Sequence, residues 1–132
     1  LHHPVFSADR RFSGSVSALF APEQLLSIIV GPVSSNLPLD IFVMQPDGLM
    51  LYDIDADQIG RNTFHDPLYQ PFPEVIALAR KVAAAREGTG SYRFRQPGAG
   101  SPSTKIAYWG TVALHGTSWR VVIACAQDGI EP

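Results

Sequence analysis

A single cysteine, Cys125, stands in 132 residues, so no internal disulfide is available and burial must hold the fold together. Charge is scarce as well: Asp, Glu, Lys and Arg make up 17% of the chain and hydrophobic residues 45%, against roughly 25% charged in an average soluble domain. Such a composition suits a domain that packs against something or encloses a lined cavity. The formal net charge of -2 carries no basic excess, which argues against nucleic acid and anionic membrane surfaces as partners. Nowhere do about 20 apolar residues run together, so no segment reads as a bilayer-spanning helix. No secretory leader is read in residues 1–132, and the abrupt start at Leu1 and stop at Pro132 are those expected of a piece of a longer protein. The sequence contains no G-x-S-x-G elbow, H-E-x-x-H pair, Walker loop or Cys/His metal spacing, and an enzyme is not expected. Cys125, inside the apolar run 121–126, is read as a small buried thiol.

What is present is organised around residues 40–62. Asp40 to Met44 suit a strand, Pro46-Asp47-Gly48 suit a tight reversal, and Leu49 to Tyr52 suit a return strand. Both faces of this hairpin are apolar, since Ile41 and Val43 alternate with Phe42 and Met44. The sheet is therefore expected to be covered on both sides. Upstream, residues 1–11 show no periodicity and 12–20 alternate small polar with apolar residues, as a strand does. Pro22-Glu23 opens a helix that carries Leu25, Leu26, Ile28, Ile29 and Val33 and ends near Gly31-Pro32 or a little beyond.

Downstream, Asp53, Asp55 and Asp57 match the start of a calcium loop, but Gln58 and Phe64 occupy its glycine and glutamate positions, and a solvated capping turn is expected instead. Thr63 to Pro73 holds three prolines and three aromatics in eleven residues, the makeup of a rigid loop that either walls a cavity or simply packs. Glu74 begins a second helix with Val75, Ile76, Ala79, Val82 and Ala83 on one stripe, which Gly88 and Gly90 are expected to stop. Strands follow at 90–95, 105–114 and 118–126, with Tyr92 and Phe94 inward, Arg93 and Arg95 outward, and a turn at His115-Gly116. The sum is an α+β domain with an antiparallel sheet of five or six strands.

The segments PDGLMLYD, IGRN, DPLY with its helix, GTGSYRF, KIAYWGTV and GTSWRVVIA occur in an order that resembles Cache domains, the extracytoplasmic PAS-like sensor modules of bacterial and archaeal histidine kinases and chemoreceptors. The resemblance spans about residues 12–126. It implies a PAS-like sheet with both helices on one face and a truncated N-terminal helix, residues 1–11, on the other, within one domain covering 1–132. It also implies a ligand-sensing role in a transmembrane receptor, outside the cytoplasm, as a homodimer tethered through flanking membrane helices. Family members that bind amino acids carry Arg-x-Trp-Tyr in the mid-chain loop. This chain has Asp66-Pro67-Leu68-Tyr69 there, which favours a small carboxylate or another compact polar ligand.

In such a fold the cavity lies between the sheet and the loop 60–73. Its candidate ligand-binding residues are Tyr52 and Asp53 at the mouth, His65 and Tyr69 on the wall, and either Lys105 or Tyr108 from the second-last strand, according to which face lines it. Arg61 is expected to hold the loop by pairing with Asp53, Asp55 or Asp57, and Trp119 to pack in the core. No metal or cofactor is expected. The alternatives are a cytoplasmic PAS-type domain holding haem or flavin, with His65 as iron ligand, and a ligand-free dimerisation module.

Overall fold

The computed structural model describes residues 2–17, 19–37, 39–94, 103–114 and 116–126. Five strands form one antiparallel sheet: β3 (Asp40–Met44), β4 (Met50–Tyr52), β5 (Gly88–Phe94), β6 (Ser103–Leu114) and β7 (Thr117–Ala126). Their spatial order is β4-β3-β7-β6-β5, so the two chain-distant hairpins meet where β3 pairs with β7. Two further strands, β1 (His2–Phe6) and β2 (Phe12–Ser17), pair only with each other in a separate two-stranded sheet. Residues 2–6 are thus a strand rather than the end of a helix. The strand expected at 12–20 exists over 12–17 but stays outside the main sheet. The second expected hairpin forms as β6 and β7; His115, the loop 95–102 and the side chain of Phe94 lie outside the described residues.

The helices α1 (Pro22–Asn36) and α2 (Pro73–Ala84) lie on opposite faces of the sheet, not together on one. Alternation along β3 shows this directly. Ile41 and Val43 pack in a cluster with Leu26 and Val30 of α1, whereas Phe42 and Met44 pack with Leu78, Ala79 and Val82 of α2. Each helix starts with proline, whose missing N–H costs nothing in the first turn, followed by an acidic residue that suits the helix dipole. α1 runs on through Pro32, further than Gly31-Pro32 suggests, and Asn36 Nδ2 donates to the Pro32 carbonyl at 2.8 Å. Of its apolar residues only Leu26 and Val30 are buried; Ile28 is 74% exposed. α1 therefore covers the β3–β4 side alone, leaving Tyr108, Val112 and Ile123 exposed on the same sheet face.

Gly88 and Gly90 lie in β5 rather than at the end of α2. A Cβ on Gly88 would come within 2.5 Å of the Trp109 ring, and one on Gly90 within 3.0 Å of Leu78. These glycines let β5 pass beneath packed side chains.

A buried arginine fixes α2 over the sheet. Arg120 of β7, 7% exposed, donates from Nε to the Val82 carbonyl at 2.9 Å and from Nη2 to the Ala83 carbonyl at 3.2 Å. Its Nη1 reaches Thr111 Oγ1 at 2.9 Å. Among the described residues no carboxylate pairs with it. The carbonyls of the last turn of α2, negative by the helix dipole, take that role. Replacing Arg120→Met keeps the bulk but orphans both carbonyls, and we expect a loss of about 2–3 kcal/mol in urea unfolding. An unchanged midpoint would show that the guanidinium holds nothing.

Candidate functional site

The site begins with the turn of the β3–β4 hairpin. Gly48 takes φ 94°, and a Cβ there would meet the Phe64 ring at 2.7 Å, so geometry and packing both require glycine. The crossover that follows is bonded back onto this hairpin. Gly60 N–H donates to the Met50 carbonyl at 2.8 Å, Met50 N–H to the Arg61 carbonyl at 2.9 Å, and Thr63 N–H to the Gly48 carbonyl at 2.8 Å. The crossover thus completes the outer edge of β4 and roofs the sheet face that α2 also covers.

Local side-chain caps set its shape. Asp53 accepts from the Asp55 N–H at 2.9 Å, and Asp55 accepts from the Asp57 N–H at 3.1 Å at the start of a 3-10 turn (Ala56–Gln58). The acidic run is the capping turn expected. Arg61 pairs with Asp66 at 3.0 Å and donates to the Asp57 carbonyl at 2.6 Å, so its carboxylate partner is none of the three aspartates proposed for it. The Leu68 N–H, then Arg61, hold the Asp66 carboxyl below its ordinary value. Arg80 sits over the Phe64 ring at 4.7 Å and secures the loop to α2.

Beneath this roof lies a cavity of about 50 Å³, room for on the order of four waters at roughly 10–15 Å³ each. Its floor and far wall are apolar: Met44 and Met50 from the sheet, and Val75, Leu78 and Val82 from α2. Polar groups gather at one end, where Asp40, Asp53, Lys105, Tyr92, Gln58 and Tyr69 line it. Tyr69, 1% exposed, donates its hydroxyl hydrogen to Gln58 Oε1 at 3.1 Å, and Gln58 Nε2 donates to Asp55 Oδ2 at 3.3 Å. Lys105 is ion-paired with Asp40.

Three of the six candidate residues come together here: Asp53, Tyr69 and Lys105. The other three do not. Tyr52 is buried on the opposite face against the α1 cluster. Tyr108 also points to that face and is 49% exposed, which settles the strand's phase in favour of Lys105, Ala107 and Trp109. His65 is exposed, its ring edge-on to Phe64 at 6.2 Å. The residues unassigned from sequence are Asp40, Gln58 and Tyr92. Only Tyr92 left a signal, its inward phase in an alternating strand.

Burial pushes the Asp53 carboxyl up to about 6, aided by the charges of Asp55 and Asp40 and opposed by the Asp55 N–H and by Lys105. Burial, then neighbouring aspartates, raise the Tyr69 and Tyr92 phenols above their ordinary range.

This strand order, with a helix and an irregular crossover closing one face, defines a PAS-like architecture. Among solved structures the chain is similar to an extracellular ligand binding receptor from Desulfohalobium retbaense, at 35% identity and TM-score 0.69, over 95% of this chain and 19% of that one. It is similar to the periplasmic sensory domain of the Campylobacter jejuni chemoreceptor Tlp1, at 11% identity and TM-score 0.57, over 96% of this chain and 42% of that one. It is also similar to the ligand binding domain of the Pseudomonas aeruginosa amino acid chemoreceptor PctB in complex with L-Arg, at 19% identity and TM-score 0.52, over 98% and 44% of the two chains. The chain thus spans about a fifth of the first and less than half of the others. No protein-family model and no curated protein matches it. The chain has the Cache/PAS-like fold that its sequence resembles, and the structures named are sensory or ligand-binding domains.

The raised Asp53 carboxyl makes stability depend on pH. With a folded value of about 6 against an ordinary 3.8, the native state holds a proton that the unfolded chain releases, so this group's contribution falls as pH rises from about 4 to 6. Asp53→Asn mimics the protonated acid. Its urea midpoint relative to wild type is expected to move in the variant's favour between pH 4 and pH 7; an equal difference at both would mean a carboxyl that water reaches freely.

Proposed function

We infer that the chain is the ligand-sensing domain of a transmembrane signalling receptor, either a chemoreceptor or a histidine kinase, and that a compact polar solute occupies the cavity under the crossover. The observation that carries this reading is the cavity itself: an apolar floor, a polar end and a roof bonded to the sheet edge. Pockets of this makeup orient small ligands. That PctB, with the same fold, is described in complex with L-Arg and L-Gln supports a small-molecule role.

The likeness to extracellular and periplasmic sensory domains supports a place outside the cytoplasm, with membrane attachment through segments flanking this chain. The same reading makes residues 1–132 one non-enzymatic module that works as a homodimer in the intact receptor. A haem-binding PAS reading needs His65 at the cavity as iron ligand, and the exposed ring is not there. A ligand-free dimerisation module leaves the polar end of the cavity without a role. A bare carboxylate has Lys105 as its natural partner, but Asp40 already holds that cation, and an incoming acid must displace it.

The test is a thermal-shift screen of small amines, acids and amino acids on wild type and on Ala79→Phe, which fills the cavity from α2 with an apolar ring. A true ligand at a hundredfold excess over Kd adds about 2.7 kcal/mol, a rise of roughly 5–10 °C in Tm. The rise should vanish in the filled variant. Equal shifts in both proteins would place binding elsewhere and remove the sensor reading of this cavity.

A further inference from the structure

The polar end of the cavity holds more negative than positive charge, and its groups differ in what already satisfies them. Lys105 and Asp40 satisfy each other. Tyr69, Gln58 and Asp55 form a closed chain of hydrogen bonds. Two groups remain. Asp53 uses one carboxylate oxygen on the Asp55 N–H, and among the described residues its other oxygen has no donor. Tyr92, 7% exposed, lines the same cavity, and among the described residues its hydroxyl has no hydrogen-bond partner. A buried hydroxyl without a partner is costly unless something else fills the space beside it.

We propose that Asp53 and Tyr92 form an ammonium subsite, so that the solute this domain takes is a compact primary amine with a short apolar body. The proposal rests on the sensor reading and gives it a ligand class. An ammonium supplies the donor that Asp53 lacks and a further donor to the Tyr92 oxygen. Its alkyl chain would lie along Met44, Met50, Leu78 and Val82, which suit no charge. A carboxylate at the same point would face two aspartates with one already-paired lysine.

Binding of this kind is linked to protons. The groups facing Asp53 are Asp40 from β3, Tyr92 from β5, Lys105 from β6, Asp55 after β4 and Tyr69 from the crossover; α2 presents only apolar side chains to the cavity. An alkylamine stays protonated through this range, so Asp53 alone must lose its proton to receive it. Since its carboxyl sits at about 6, amine affinity should rise about tenfold from pH 5 to pH 7 and then level off.

The probes are n-propylamine, propionate and β-alanine, three solutes on a three-carbon skeleton that carry the ammonium, the carboxylate or both. Calorimetry on the wild-type chain at pH 5, 6 and 7 is expected to show saturable propylamine binding with that rise and with proton release at pH 6. At pH 7, Asp53→Asn should weaken propylamine binding about tenfold or more and abolish the pH dependence. Tyr92→Phe should weaken it roughly three- to tenfold and keep it. Propylamine affinity that is flat with pH in wild type, or unchanged in Asp53→Asn, overturns the subsite without relying on a variant that folds poorly. Saturable binding of propionate or β-alanine without propylamine overturns the subsite and leaves the sensor reading intact. If none of the three binds the folded chain, the subsite falls, while the sensor reading stands or falls with the wider screen on wild type and Ala79→Phe.

Discussion

The cavity depends on the grip of Arg120 on α2. A single antiparallel sheet with apolar residues on both faces has no intrinsic reason to hold a helix at one particular angle, because apolar packing is not directional. Arg120 supplies direction. Its guanidinium reaches from the central strand β7 to the last carbonyls of α2 and to Thr111 of β6, tying one helix end to two strands. The other end of α2 is fixed by Glu74, which accepts from the Arg93 N–H of β5 at 2.8 Å. α2 is thus tied to the sheet at both ends, and the cavity lies between it, the sheet and the crossover.

The polar end of that space follows from the sheet's topology. β3 brings Asp40, β5 brings Tyr92 and β6 brings Lys105, while the turn after β4 brings Asp53. These residues are far apart in the chain and meet because β3 pairs with β7 and β7 with β6. The roof over the same end comes from one continuous stretch, the crossover, whose Tyr69 and Gln58 bond to each other. The crossover side of the cavity is thus satisfied in advance, and on the sheet side Lys105 and Asp40 pair while Asp53 and Tyr92 are left open among the described residues.

What was legible in the sequence was local. Pro46-Asp47-Gly48 announced the β3–β4 turn because its chemistry lies within three residues, and Pro73-Glu74 with the apolar stripe announced α2. The Cache-like order of segments pointed to the right fold and to a crossover over the sheet. What was not legible depended on parity and distance. Tyr52 leaves the cavity face while Met50 stays on it, across a hairpin whose register shifts between Val43 and Met44. A sheet apolar on both faces cannot say which helix goes where, and α1 lies on the face opposite α2, not on the shared face that the resemblance implies. Residues 2–6 were expected to be helical by likeness alone and instead pair with β2. Arg120 gave no local cue, since its partners are backbone carbonyls 37 and 38 residues away.

β4 is only three residues long, yet it belongs to both sides of the molecule. Met50 contributes to the cavity and takes the hydrogen bonds that sew the crossover to the sheet edge; Leu51 and Tyr52 form part of the surface on which α1 rests. The roof and the far-side helix therefore share one short lever. A change in the crossover thus bears on the same three-residue strand that supports α1, with no need to cross the middle of the sheet.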